Sequence, residues 1–231
     1  MFTRLPAAIC LSAIVPALLV AQQPVEVSPA ADKVLTPFVQ QIESAKAVTA
    51  ELKTNEQVYS EGQVVFTTKT DYIAASALPN KLALRVQGDD VNVAIVSDGK
   101  TLNMLLTENA YVQKDSPAAI ADILDEQGVP QGPIIDSLLA MTIPGKNVRE
   151  KLLSGLKSVE LVSASEKGNE EGESQASTLK LLRPDGSFIL LTLSNDKPIK
   201  PVAMEVDMTE MIKANNPQVA RTPGFKFVVE V

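Results

Sequence analysis

From Val48 to Val112 apolar residues recur at every second position, and that period restricts the chain to one kind of structure. Side chains that alternate apolar and polar gather on one face only in a strand. Leu82, Leu84 and Val86 alternate with Lys81, Ala83 and Arg85. Val91, Val93 and Ile95 alternate with Asn92, Ala94 and Val96, and Leu102, Met104 and Leu106 with Thr101, Asn103 and Leu105. Val64 and Phe66 form a shorter row. Pro79-Asn80, Gly88-Asp89-Asp90, Asp98-Gly99 and Glu108-Asn109 separate the rows. Asp-Gly between two alternating runs is a strong hairpin signal. The segment reads as an antiparallel meander.

The same period returns after residue 157. Ser158–Ser165, Leu179–Arg183, Phe188–Leu193, Val202–Val206 and Phe225–Val231 read as strands, with Pro184-Asp185-Gly186 as a second clear hairpin. The helical period appears in two places. Val34, Leu35, Phe38, Val39 and Ile42 make a stripe between Ala30 and Lys46, with Asp32 near the positive end. Mid-chain, Ser116-Pro117 reads as a helix start before Ile120, Ile123 and Leu124, and Gly128 closes that helix. Pro133 opens a second short helix and residues 147–156 a third. Met208–Asn215 is a helical turn or a loop.

The fold class follows: mainly β with helices (α+β), about nine to eleven strands joined mostly by hairpins. Long antiparallel sheets curl as they twist. The apolar face needs a cover, and the helices supply it. The expected architecture is a curved antiparallel sheet forming an unclosed β-barrel with a helical lid.

Residues 1–21 carry one charge, Arg4, then a short apolar run from Leu5 to Val20 broken by Pro6 and Pro16, then Ala21. This is the pattern of a cleavable secretory signal peptide, and a membrane span would want about 20 uninterrupted apolar residues. Residues 22–29 read as a disordered leader and 30–231 as one domain. The expected location is the periplasm or another exported compartment, with a soluble protein after cleavage. Cys10, the only cysteine, lies in the signal segment, and the chain has no His and no Trp. The thiol nucleophile and the commonest general base are therefore missing from the exported part. The formal net charge is −7. Nucleic acid, which demands a basic surface, is excluded as a partner.

The order of elements resembles the periplasmic lipoprotein carrier superfamily, whose members include the lipoprotein carrier LolA and its receptor LolB. It is most similar to a group of exported proteins within that superfamily. The resemblance rests on Pro79-Asn80-Lys81-Leu82, on Val96-Ser97-Asp98-Gly99-Lys100-Thr101-Leu102 leading to the Tyr111 strand, and on Lys197-Pro198-Ile199-Lys200-Pro201-Val202. It spans Ala30 to Val231. It implies an unclosed barrel with an apolar cavity and a lid that admits acyl chains.

The candidate site follows from the inward rows. Phe66, Leu82, Leu84, Val93, Met104 and Leu190 are expected to line an apolar cavity, with Ile135, Leu139 and Met141 as its lid. The competing reading packs the same residues as a closed core. No catalytic, metal or cofactor residue is singled out. The acidic run Glu166–Glu173 lacks the alternate ligand spacing of a calcium loop and reads as a solvated hairpin tip. Ser137 and Ser154 near Lys146 and Lys151 are explained as helix surface. Tyr59, Tyr72 and Tyr111 suit strands. The expected partner is an apolar or acyl-chain ligand. The alternative is a sensory or interaction module that meets an envelope protein with its outer surface.

Overall fold

A computed structural model describes residues 24–89, 91–107, 110–164 and 175–231. The signal segment, Cys10, Asp90, the Glu108-Asn109 turn and the acidic run Glu166–Glu173 lie outside the described residues. In chain order come β1 (Glu26–Val27), α1 (Pro29–Ser44), β2 (Ala47–Ser60), β3 (Gln63–Ala77), β4 (Lys81–Gly88), β5 (Asn92–Asp98), β6 (Thr101–Thr107) and β7 (Ala110–Asp115). Three short helices follow: α2 (Ile120–Leu124), α3 (Pro133–Thr142) and α4 (Val148–Leu153). The chain ends with β8 (Ser158–Ala164), β9 (Ala176–Leu182), β10 (Phe188–Ser194), β11 (Pro201–Asp207), α5 (Thr209–Asn215), α6 (Pro217–Ala220) and β12 (Lys226–Glu230).

The twelve strands among the described residues form one sheet in the order β1-β8-β9-β10-β11-β12-β2-β3-β4-β5-β6-β7. Strands β1 and β7 are its two edges and do not pair with each other, so the barrel is unclosed. Only β1 with β8 is parallel. The remaining neighbours are antiparallel, as hairpin connections require.

Register carries the core across the sheet. Ala74, Leu84, Ile95 and Met104 stand opposite one another from β3 to β6. Leu181, Ile189, Val206 and Val229 do the same from β9 to β12. All eight are buried. The alternating apolar residues therefore end on one concave face, and a one-residue slip would move each row to water. Helix α1 and the α2–α4 segment cover that face.

Helix α1 forms where the stripe places it, with Leu35, Phe38, Val39 and Ile42 buried. Ser28 Oγ accepts from the Ala31 N–H at 3.2 Å, and Pro29 occupies the first turn, where its missing donor costs nothing. Residues 24–29 are not the disordered leader expected. Glu26 N–H donates to Lys157 O at 3.1 Å and Ser28 N–H to Val159 O at 3.0 Å. The leader is drawn into the sheet because it offers both a β8 partner and the cap of α1.

The mid-chain helices differ from expectation at their start. Ser116 does not cap α2; its hydroxyl meets Ser97 Oγ at 2.7 Å. Helix α2 begins only at Ile120, after Ala119, which provides no side-chain cap.

Candidate functional site

The lid sits over the sheet mainly on apolar side chains. Apart from Asp136, Ser137 and Thr142, every residue of α3 is apolar, and Ile134, Ile135, Leu138, Leu139, Ala140 and Met141 are all buried. A ten-residue helix is marginal by itself in water, so packing against the sheet is what keeps α3 helical. Neither α2, α3 nor α4 has a side-chain cap at its N-terminus. Glycines of positive φ flank the segments: Gly128 (93°), Gly132 (139°), Gly145 (108°) and Gly155 (72°). At Gly128 a Cβ would also lie 2.6 Å from a Leu106 methyl, so only glycine lets the turn after α2 close on β6.

Polar ties hold the two ends of this segment. At the N-terminal end, buried Asn80 donates from Nδ2 to Gly99 O at 3.0 Å and to Pro117 O at 2.8 Å. Ser97 Oγ donates to Asn80 O at 2.6 Å. Asn80, read from sequence as turn chemistry, thus joins the β5–β6 hairpin to the root of the lid. At the C-terminal end Arg149 of α4 meets Asp32 of α1 at 2.7 Å. Hydrogen bonding from that guanidinium holds the Asp32 carboxyl below the usual carboxylate range. Between these ends Ser76 Oγ of β3 donates to Thr142 O of α3.

Beneath α3 and α4, against β9, β10 and β11, lies a cavity of about 50 Å³. Its floor is apolar: Leu181, Ile189, Leu191 and Met204 from the sheet, Met141 and Leu152 from the helices. Its mouth is polar. Asp136, Lys151 and Ser154 are exposed there, and Arg183, at the end of β9, reaches the same space. Water occupies roughly 30 Å³ per molecule in the liquid, so the cavity has room for one or two waters and not for an acyl chain.

The nine residues expected at a cavity divide. Met141 lines it. Leu82, Leu84, Val93 and Met104 are buried on the concave face of the other half of the sheet, and Ile135 and Leu139 pack in the lid. Phe66 and Leu190 do not face an interior. Strand β4 pairs with β3 only from Thr70 to Ala77, so Phe66 lies on the part of the β2–β3 hairpin that projects beyond it, 55% exposed. The Glu61-Gly62 turn, with φ of 53° and 78°, allows that long hairpin its tight end. Leu190 stands one residue out of phase: Ile189 and Leu191 point inward, while Leu190 pairs with Lys180 and Glu205 on the outer face. Sequence reasoning missed the floor residues of β9–β11 and Arg183, whose only signal was its place beside the Pro-Asp-Gly turn. Glu56 and Tyr72 lie away from the cavity on β2 and β3. Burial raises the Glu56 carboxyl, and burial followed by the Glu56 charge raises the Tyr72 phenol.

Comparison with known proteins finds a match over part of the chain. Residues 31–130 match the family described as predicted periplasmic protein (DUF2092). The match runs from α1 through the meander to the loop before α3, and the periplasm agrees with the location expected from the first 21 residues. No curated protein matches the chain. Among solved structures, the crystal structure of a LolA superfamily protein from Nitrosomonas europaea covers 75% of this chain and 70% of its own, at 10% identity and a TM-score of 0.27. That superposition is too loose to carry anything further. The family match is to a predicted periplasmic protein, an exported group as the sequence led one to expect.

Proposed function

We propose that the exported protein is a non-enzymatic carrier that binds an apolar, lipid-like ligand between α3 and the concave sheet. The acyl chains of a lipoprotein are the form of ligand that the family resemblance implies. The observation that carries this reading is the contrast within the lid. Helix α3 buries an almost wholly apolar surface, yet it is uncapped and flanked by positive-φ glycines. An acyl chain that takes the place of α3 keeps the sheet's apolar face dry, and each buried methylene contributes about 0.8 kcal/mol. The two apolar surfaces are interchangeable, so lid and ligand compete for one site. The cavity under Met141 and Leu152 is where the exchange would begin.

Titration of the exported chain with a fluorescent fatty acid tests the reading. Saturable one-to-one binding, weakened by Met141→Asp, is the expected result. Absence of saturable binding to the unaltered protein overturns it.

A second reading has its own observation. The concave face is filled by side chains in this structure, and Val64, Val65 and Phe66 stand exposed on the projecting hairpin. A module that meets an envelope protein through that hairpin would bind no fatty acid and would lose its partner on Phe66→Ser.

A further inference from the structure

We propose that the cavity mouth is a head-group site, so that the ligand is an anionic amphiphile: an apolar chain ending in a carboxylate or a phosphate. This rests on the carrier reading above and adds the chemistry of the ligand's polar end.

Two cations meet at the mouth, Lys151 from α4 and Arg183 from the β9–β10 turn. Neither makes a salt bridge among the described residues, although Asp136 lines the same opening. The Arg183 Nε is buried and has no hydrogen-bond partner among the described residues. A buried unsatisfied donor on a charged group is costly, and a negatively charged acceptor at the mouth would satisfy it. Planar guanidinium suits carboxylate and phosphate equally, and charge-assisted bonds to either are the stronger kind. The Ser154 hydroxyl sits at the same rim. Directly below, the lining turns apolar at Leu181, Ile189 and Met204. Cationic rim and oily floor within one opening match a molecule that is anionic at one end and apolar at the other.

The rest of the molecule makes the assignment specific. With a net charge of −7 the protein's overall field repels anions. A preference for an anionic ligand must therefore come from a local site. Lys151 is exposed, so its removal leaves the core intact.

The test compares probes of equal chain length by calorimetry: dodecanoate, dodecyl phosphate and the uncharged dodecanol, with inorganic phosphate as the head group alone. The two anionic amphiphiles should bind at least about tenfold more tightly than dodecanol, the effect of one charge-assisted bond. Lys151→Gln and Arg183→Gln should each shrink that ratio without changing dodecanol binding, and Arg183→Lys should restore part of it. Dodecanoate bound more tightly than dodecyl phosphate would mark a fatty acid site, and the reverse order a phosphate head group; either result upholds the proposal. Dodecanol binding as tightly as the anions, or a ratio unmoved in both Gln variants, overturns the head-group site and leaves the apolar carrier standing. Inorganic phosphate binding as tightly as dodecyl phosphate overturns the amphiphile. No binding of any probe overturns the carrier reading and this one together.

Discussion

Helix α1 and helix α3 cover the same concave sheet, and they are fastened to it by different means. Helix α1 has 16 residues, a Ser28 cap, Pro29 in its first turn and an acidic residue at its positive end. Its Gln41 side chain accepts from Ile199 N–H and donates to Ile199 O, both at 2.8 Å, locking the helix to the loop before β11. Helix α3 has ten residues, no side-chain cap and a glycine on either side. Both bury leucines completely or nearly so. The difference is therefore in the polar fastenings, and it teaches which cover is permanent. Apolar contacts can be replaced by any apolar surface; hydrogen bonds of fixed geometry cannot.

The largest expected effect sets the two helices against each other. Leu35 of α1 is 2% exposed and Leu138 of α3 is 0% exposed. Truncating a buried leucine costs about 2–5 kcal/mol where the structure must keep its shape. Leu35→Ala should show that loss in denaturant unfolding. Leu138→Ala should show a smaller global loss and faster amide exchange confined to α3. Equal global losses would mean that α3 is as integral to the fold as α1.

Next in size is the cap. Ser28→Ala should lower unfolding stability by about 1 kcal/mol, because it orphans the Ala31 N–H. No α3 residue offers a comparable side-chain cap to remove.

The titrating groups give smaller, pH-dependent effects. Glu56 has its folded pKa raised by burial, so the folded state holds its proton longer than the unfolded chain. Stability from this group falls as pH rises from the unfolded value of 4.5 through the folded one, and the penalty is complete above both. Glu56→Gln should flatten that decline and leave the protein slightly more stable at neutral pH, as read from unfolding midpoints across pH 4 to 8. Asp32 has the opposite sign. Its folded pKa is lowered, so its contribution is present above the unfolded value of 3.8 and is lost as pH falls through the folded one. The pair with Arg149 is exposed and screened by salt. Asp32→Asn should therefore be the mildest change, visible at low ionic strength as a loosening of α4 against α1.

Much of this arrangement was legible in the sequence. The rows at Leu82–Val86 and Leu102–Met104, the stripe of α1 and the Pro184-Asp185-Gly186 hairpin follow from local period and turn chemistry, and each forms as read. What was not legible depends on partners distant in the chain. Phe66 looked like its inward neighbours because alternation does not say where the adjacent strand stops, and β4 stops opposite Thr70. Ser116 had the chemistry of a cap, but Ser97 already engages its hydroxyl. Glu26 and Val27 looked like leader because two residues carry no period, and their partner strand lies at residues 158–159. The cavity escaped for the same reason. It exists where side chains of α3 and α4 face those of β9–β11 across a gap, and no local pattern states which strands a distant helix will face.

Hydrogen exchange across Pro133–Thr142, read beside Pro29–Ser44 in one experiment, tests most directly whether α3 is an exchangeable cover. In the ligand-free protein, amides of α3 should exchange through a local opening, well before those of α1. Saturating dodecanoate should change the exchange of α3 and leave that of α1 as it was. If α3 exchanges only as slowly as α1, with or without dodecanoate, the lid does not open and the carrier account is contradicted.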